Sequence, residues 1–557
     1  MEQHSTQQSN SAPAVPARAK KGGSAAIKIL FSLSGAAMTL LLSQSGSLLF
    51  IGAGVFLSLV ACLIVAFRFD MPRRAFVDAK PLPLVLGAVL AIVVALLYRP
   101  VFAATVEEVF VPFLAASPLS SLAGATAAAL PILVCVLALF ALLVWFSLFC
   151  DQAVRFVQRW YASACRAERL YLLIGFVLVS AAIVLVYSRT TAFFSGAAYD
   201  VVYTSDSGNL ISTSAYHQVN AYQNDIRQPL FAVFSMPFSV FSLLLSKLLF
   251  FVPNAYPIVI ACVQAGLLLF SFTLLARVLG LSGTDRVLFL LLLALSYPTL
   301  LFFFTLEQYI FSVFWVIVLL YAWHEKTEHR TMLYVAATGS LLTSGVFVPL
   351  LFEEKGTKKA IRSLVSAGLV FFAVFVVFGR VPMLNRALQT ARDLASFTGE
   401  SVGFGARALQ FFSFVSSCFA RPAAGLDLIT YSHPSYQMYA VAGINWAGVI
   451  LLALSLVSAV LHRKEARMRV FSLWAGFSVA LLLLVGWGSF ENGMVLYTLY
   501  FSWAYAALLY ALLGRIVPKN NTLRYFIAAA LILLLMLINV SGMLDLFRFA
   551  VAYYPAA

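Results

Sequence analysis

The sequence predicts an all-α polytopic membrane protein of about 13–15 helices with two large external loops. Of the 557 residues, 62% are hydrophobic and only 11% are charged, whereas a soluble domain carries roughly 25% charged residues. The mean hydropathy is +0.94. Lysines and arginines form short clusters between apolar runs, which is typical of cytoplasmic loops. These observations exclude a soluble enzyme and a nucleic-acid partner.

Residues 1–26 are expected to form a disordered basic tail. They are rich in Ser, Gln, Ala and Pro and contain Arg18, Lys20 and Lys21. Because positively charged segments stay in the cytoplasm, we expect a cytoplasmic N-terminus and a multi-pass protein of the cytoplasmic membrane. No obvious cleavage site follows the first apolar run, so that run is predicted to be a retained helix.

Residues 27–169 are predicted to form a four-helix membrane region, since a spanning helix needs about 20 mostly apolar residues. The apolar run 27–67 is too long for one span, and the polar residues 43–47 divide it into two helices. The runs 82–103 and 122–149 supply the other two helices.

Residues 170–380 are predicted to form a core in which the first external loop spans residues 188–256. Two apolar segments around this core leave alternatives open. Residues 230–252 either span the membrane or form an interfacial or re-entrant segment. We prefer the second alternative, because Pro229, Pro237 and Pro253 interrupt the apolar run. Residues 332–352 form either one span or, as we prefer, two short helices hinged near residues 343–345.

The rest of the chain holds a second external loop, residues 381–438, followed by C-terminal membrane helices over residues 439–557. No internal repeat and no pair of matching halves with broken helices is found, although such halves are expected of many transporters. The six scattered cysteines predict neither a disulfide framework nor a zinc site.

Chemically active side chains are concentrated in the first external loop, which holds Asp200, Asp206, His217, Asp225 and Arg227. A partly desolvated carboxylate can act as a general base toward a hydroxyl group. An arginine can hold a phosphate through two parallel hydrogen bonds. These two groups suffice for sugar transfer from a lipid phosphate.

Several short motifs accompany these residues: Ser205-Asp-Ser-Gly, Arg227-Gln-Pro-Leu-Phe, Ser296-Tyr-Pro, Leu306-Glu-Gln-Tyr and Thr343-Ser-Gly. In their order and setting, the sequence from about residue 170 to residue 330 resembles the GT-C glycosyltransferases, with weaker similarity to the end. Those enzymes take sugar from a polyprenyl-phosphate donor at the outer membrane face.

The sequence departs from the family pattern at three points. Where the family motif reads His-Pro-Pro-Leu, this sequence has Arg227 in place of the histidine and Gln228 in place of the first proline. The early acid is not part of an Asp-Glu or Asp-Asp pair. About four helices precede the similar region, before residue 170.

The resemblance implies a role for each candidate residue. The loop acid of the family corresponds to Asp206, with Asp200 as its nearest competitor for the catalytic role. The remaining candidates would bind the donor phosphate or the acceptor: Asp225, Arg227, Gln228, Glu307 and His217.

Each of these residues also has a purely structural explanation. Asp206 precedes Ser-Gly and is typical of a turn. Asp200 is compatible with a helix end, Asp225 and Arg227 with a salt bridge, and Glu307 with an ordinary interfacial acid. His217 lacks metal-ligand spacing, so plain polar contacts are expected for it.

The implied function is transfer of a sugar from polyprenyl phosphate to a hydroxyl of a glycan, lipid or protein acceptor outside the cytoplasmic membrane. No cofactor is identified, and a divalent cation is left open. Membrane lipids are the other expected partners. The alternatives are a transporter or lipid flippase and a non-catalytic component of an envelope glycan assembly machine. Sparse charges within the predicted spans disfavour transport.

Overall fold

The computed structural model describes residues 25–43, 48–76, 78, 80–110, 112, 123–194, 201–221, 226–326, 330–349, 356–384, 392, 395, 398, 402–489, 493–517 and 521–556. The described chain is almost entirely α-helical. Its first half contains α1 Ala25–Leu42, α2 Leu48–Phe69, α3 Met71–Phe76, α4 Pro81–Leu97, α5 Arg99–Thr105, α6 Ala123–Ser163, α7 Arg166–Tyr187, α8 Ser207–Ser212, α9 Phe231–Leu248 and α10 Ala255–Val278.

The second half contains further helices and one short hairpin. Its helices are α11 Gly283–Ala294, α12 Tyr297–Phe304, α13 Tyr309–His324, α14 Arg330–Ser340, α15 Thr357–Val377, α16 Phe404–Ser417, α17 Trp446–Leu461, α18 Ala466–Ser478, α19 Thr498–Ile516 and α20 Asn521–Tyr553. Strands β1 Ala424–Asp427 and β2 Ser435–Met438 pair antiparallel, with Asp427 opposite Ser435. Shorter π or 3-10 segments are Val106–Phe110, Leu342–Phe347, Val479–Leu484 and Gly493–Tyr497.

Within the described residues, ten helices are long and apolar enough to cross a membrane, or twelve if each of two bent helix pairs counts as one span. The protein is therefore an all-α multi-pass membrane protein. This number is smaller than the predicted 13–15 helices partly because α13 and α17 have only 16 residues each, fewer than the roughly 20 needed for a full crossing.

Two runs that the sequence presents as single spans are bent pairs of helices. The bend is 54° between α4 and α5 and 57° between α11 and α12. In both pairs a proline lies within the first two positions of the second helix, Pro100 in α5 and Pro298 in α12. Because proline has no N–H to donate, it begins a new helix more readily than it continues one.

The N-terminal helices form one bundle in which α6 packs against α1 and α4. Gly87 of α4 lies so close to α6 that a Cβ atom there would approach the Ser147 Cα to 2.6 Å. The helix α6 has 41 residues and continues past the predicted end at Phe149. Its extension contains an ion pair between Asp151 and Arg155 on successive turns, with 2.8 Å between charged atoms.

The helix α10 lies at the centre of the core, where it packs against α7, α9 and α13. Segment 230–252 contains the continuous helix α9, and Pro237 lies within it. Pro237 does not break this helix, which is long and apolar enough to cross a membrane, as in the alternative of a spanning segment. Segment 332–352 does break: α14 ends at Ser340 and a 3-10 helix begins at Leu342, close to the predicted hinge.

Candidate functional site

Asp206 follows a tight turn in the first predicted external loop. Tyr203 and Thr204, shortly before Asp206, both have left-handed backbone conformations, with φ of 50° and 57°. Such conformations cost roughly 1–3 kcal/mol each in residues other than glycine, and they cluster at functional sites. Asp206 occupies the N-cap position of α8, but its side chain makes no capping hydrogen bond. Asp206 therefore follows a turn, as its position before Ser-Gly predicts, and its N–H lies at the start of α8.

The hairpin strand β2 anchors this turn. The Tyr203 N–H donates to the Tyr436 carbonyl at 2.9 Å, and the Tyr436 N–H donates to the Val201 carbonyl at 2.8 Å. The hydroxyl groups of Tyr203 and Tyr297 also share a hydrogen bond of 2.5 Å. A segment from the second predicted external loop thus fixes the backbone that carries Asp206.

Glu307 connects Asp206 to the helical core. It lies between α12 and α13 and is only 1% exposed. Its Oε1 accepts a hydrogen bond of 2.6 Å from the Asp206 N–H. The Gln264 side-chain amide of α10 donates to the Glu307 carbonyl at 2.9 Å and to the Tyr216 hydroxyl at 3.0 Å. A buried amide of α10 therefore holds the Glu307 backbone, and the Tyr216 hydroxyl accepts from the same amide.

Arg227 and Gln228 lie on a segment that docks against the break after α14. The Arg227 carbonyl accepts from the Leu342 N–H at 2.9 Å, and the Leu230 N–H donates to the Gly339 carbonyl at 2.8 Å. A Cβ atom on Gly339 would lie 2.8 Å from the Leu230 Cβ, so only glycine permits this approach. These contacts fix the position of the motif that begins at Arg227.

Three tyrosine rings, Tyr309, Tyr497 and Tyr500, contact one another beside this motif. The rings of Tyr309 and Tyr500 meet edge-on at 4.8 Å between centroids, and Tyr497 lies 6.1 Å from Tyr309. The Gln228 amide donates to the Tyr500 hydroxyl at 3.0 Å. The Trp487 indole N–H donates to the Tyr497 hydroxyl at 2.9 Å. Both hydroxyls are thus held by donors.

Electrostatic contacts place the candidate residues in one group. Tyr497 interacts with the charges of Arg227, Asp206 and Glu307. Tyr500 interacts with Glu307 and Arg227. Asp206 is half-buried, whereas Glu307 is buried. The site therefore combines one accessible carboxylate, one buried carboxylate and one arginine.

His217 makes structural contacts apart from this group. Its Nδ1 is 2.9 Å from the Ser239 hydroxyl, which in turn lies 2.9 Å from the Tyr256 hydroxyl. Its carbonyl accepts from the Tyr98 hydroxyl at 2.6 Å. Burial lowers the pKa of His217 from 6.5 to about 4. These contacts agree with the plain polar role, and a part in substrate binding stays a prediction.

The depressed pKa of His217 predicts acid sensitivity. Above pH 6.5 the ring is neutral in both states, but between pH 6.5 and about 4 the unfolded chain binds a proton that the folded chain does not. Stability should therefore fall as the pH falls through this window, by about 3 kcal/mol from this group. Unfolding measured across the window should show a weaker pH dependence in His217→Gln. Equal slopes for both proteins would contradict the prediction.

Four predicted site residues come together from distant parts of the sequence: Asp206, Arg227, Gln228 and Glu307. Asp200 and Asp225 lie outside the described residues. Tyr309 belongs to the Leu306-Glu-Gln-Tyr motif, whereas sequence reasoning missed Tyr497 and Tyr500. Within the described part of the chain, no three His, Cys, Asp or Glu side chains are grouped to hold a metal ion.

Comparison with known proteins gives no match: no family model, no curated protein and no solved structure is similar to this chain. The site must therefore be interpreted from its own residues.

Proposed function

We propose that the protein is an inverting glycosyltransferase that moves a sugar from polyprenyl phosphate to an acceptor hydroxyl outside the cytoplasmic membrane. The observation that supports this proposal most strongly is the hydrogen bond from the Asp206 N–H to Glu307, made within electrostatic reach of Arg227. This arrangement supplies a carboxylate and a cation, which sugar transfer from a lipid phosphate requires.

The reaction needs one proton acceptor and one group that stabilises negative charge. The acceptor oxygen attacks the anomeric carbon from the face opposite the phosphate, and its proton passes to the Asp206 carboxylate. The bond between the anomeric carbon and the phosphate oxygen breaks, and its electron pair leaves with polyprenyl phosphate. Arg227 stabilises the charge that develops on that oxygen, often the largest contribution to catalysis.

Glu307 acts as a positioning residue in this mechanism. Its buried carboxylate accepts the Asp206 N–H and so fixes the backbone of the base. Asp206 is the better base because it is half-buried and therefore within reach of an acceptor. A base must lie within hydrogen-bond distance of the proton that it removes.

Turnover in nanodiscs tests the proposal. Purified protein is offered a panel of polyprenyl-phosphate sugars together with glycan, lipid and protein acceptors, and released polyprenyl phosphate is measured. We expect release from at least one donor. Absence of release from every donor, by protein that is active in cells, would favour a transporter, a flippase or a non-catalytic assembly component.

Arg227→Ala is expected to lower turnover by about 10²-fold, because one donor to the developing charge is lost. Arg227→Lys keeps the charge but not the planar pair of donors, so it should recover only part of the rate. Steady-state turnover of the three proteins measures both effects. Arg463→Ala is the matched control, because it removes an exposed arginine from the turn between α17 and α18. Wild-type turnover in Arg227→Ala would exclude a role in leaving-group stabilisation.

A further inference from the structure

We infer that Tyr554, the residue that follows α20, is a positioning residue for Asp206. The inference rests on the proposed function, because it concerns the base of that reaction. Contacts from the end of α20 reach two segments that place this base, namely the loop that follows α7 and the hairpin strand β2.

Backbone pairing ties the loop after α7 to the residues after α20. The Thr191 N–H donates to the Tyr554 carbonyl at 2.9 Å, and the Ala556 N–H donates to the Arg189 carbonyl at 3.0 Å. The Thr190 side chain is fully buried, and its hydroxyl lies 2.6 Å from the Tyr554 carbonyl, where it can donate. The chain thus enters its first predicted external loop in a position that Tyr554 helps to fix.

The Tyr554 side chain reaches the hairpin. Its hydroxyl donates to the Pro434 carbonyl at 2.5 Å, and Pro434 directly precedes β2. Within β2, the Tyr436 carbonyl accepts from the Tyr203 N–H at 2.9 Å, the contact that anchors the turn before Asp206. One tyrosine side chain thus holds the strand on which that turn depends, while the backbone of the same residue holds the loop that precedes the turn.

Aromatic rings pack the last turns of α20 against both sides of the candidate site. The Phe549 ring lies 5.5 Å from the Tyr436 ring, measured between centroids. The Phe547 ring meets the Phe304 ring edge-on at 4.8 Å, and Phe304 ends α12. Glu307, which accepts the N–H of the proposed base, follows shortly after that helix end. The end of α20 therefore packs against the elements on both sides of this hydrogen bond.

The contacts that hold the donor-phosphate side come from other elements. The Arg227 carbonyl accepts from the N–H of Leu342 in the 3-10 helix, and the Gln228 amide donates to Tyr500 of α19. A change at Tyr554 should therefore displace the base more than it displaces the arginine. Because proton transfer requires hydrogen-bond reach and a small displacement is costly in rate, the loss should appear in kcat rather than in donor affinity.

Two variants loosen this anchor with little change of side-chain shape. Tyr554→Phe removes the hydroxyl that donates to Pro434, and Thr190→Val removes the hydroxyl that faces the Tyr554 carbonyl. In steady-state turnover in nanodiscs, each should lower kcat by about 5- to 10-fold and leave KM for the donor unchanged. Tyr553→Phe is the matched control, because it removes the hydroxyl of the neighbouring, exposed tyrosine, and it should turn over at the wild-type rate.

Hydrogen exchange measures the same anchor without any substrate. The amides of Tyr203 and Asp206 are both hydrogen-bonded in the structure, and their exchange follows the free energy of local opening. In nanodiscs, both amides should exchange about fivefold faster in the two variants than in wild type. The control should exchange at the wild-type rate.

Three results would overturn the inference. One is unchanged exchange of both amides in the two variants, and another is wild-type kcat in both variants when the wild type transfers sugar. The third is faster exchange along the whole chain, which would show general destabilisation. Faster exchange confined to the turn, with no release of polyprenyl phosphate by wild type from any donor, would instead refute the transferase and retain Tyr554 as the anchor of the turn.

Discussion

Asp206→Asn is expected to lower sugar transfer by about 10²- to 10⁴-fold, the range typical of losing a general base. The asparagine keeps the size of the side chain and the backbone N–H that donates to Glu307. It cannot take a proton from the acceptor hydroxyl. Because asparagine has nearly the same shape as aspartate, the change should leave folding intact. The loss should therefore appear in kcat rather than in the amount of folded protein.

Two further variants test whether the loss of activity is specific to the Asp206 carboxylate. Glu465→Gln removes an exposed acid at the start of α18 that makes no capping bond, and it should turn over at the wild-type rate. Asp206→Glu keeps a base but moves it by one methylene, so it should recover part of the activity. If Asp206→Asn transfers sugar at the wild-type rate, Asp206 is not the base.

Glu168→Ala is expected to destabilise the protein by about 3–5 kcal/mol, the range for breaking a buried charge pair. The Glu168 carboxylate is fully buried. It accepts from Arg277 at 2.8 and 2.7 Å, lies 3.2 Å from Arg286, and accepts from the Cys165 N–H at 3.1 Å. Alanine leaves two mostly buried arginines without their shared anion. It also removes the ion pairs that join the start of α7 to α10 and α11.

Unfolding by titration with a denaturing detergent measures this effect. The control is Asp545→Asn, which removes a half-exposed acid from its pairs with Arg421 and Arg548. Exposed pairs are worth about 0–1 kcal/mol, so the control should change little. Similar small losses in both variants would show that the Glu168 cluster does not hold these helices together.

Much of the helical fold follows from apolar length alone. The helix α1 ends at Leu42 and α2 begins at Leu48, on either side of the predicted division, and α7 and α10 lie where the apolar runs do. The bends were not predicted because hydropathy averages over a whole run, whereas a bend depends on one residue. Pro100 and Pro298, at the starts of α5 and α12, mark the positions of the two bends. The sequence also indicated the break near residues 343–345, where small and polar residues end an apolar run.

Some residues of the candidate site could be named from the sequence. Asp206, Arg227 and Glu307 stand out because charged residues are rare in this chain. Their mutual position was implied by the family resemblance, not by spacing. Tyr497 and Tyr500 were missed because aromatic residues at the end of an apolar run are equally typical of an interfacial belt.

The contact that anchors the turn before Asp206 could not be predicted from the sequence. The anchoring residue is Tyr436, which lies in strand β2. In the structure, its backbone pairs with Val201 and Tyr203, more than 200 residues earlier in the sequence. No local pattern in a four-residue strand identifies so distant a partner. Non-local pairing of this kind is visible only in three dimensions.

The anomeric configuration of the transferred sugar tests the central claim most directly. With the donor and acceptor that support turnover in nanodiscs, product is followed by NMR while released polyprenyl phosphate is quantified. The account predicts inversion at the anomeric carbon, one polyprenyl phosphate per product, and loss of both signals in Asp206→Asn. Retention of configuration, or no release from any polyprenyl-phosphate sugar by folded protein, would contradict it.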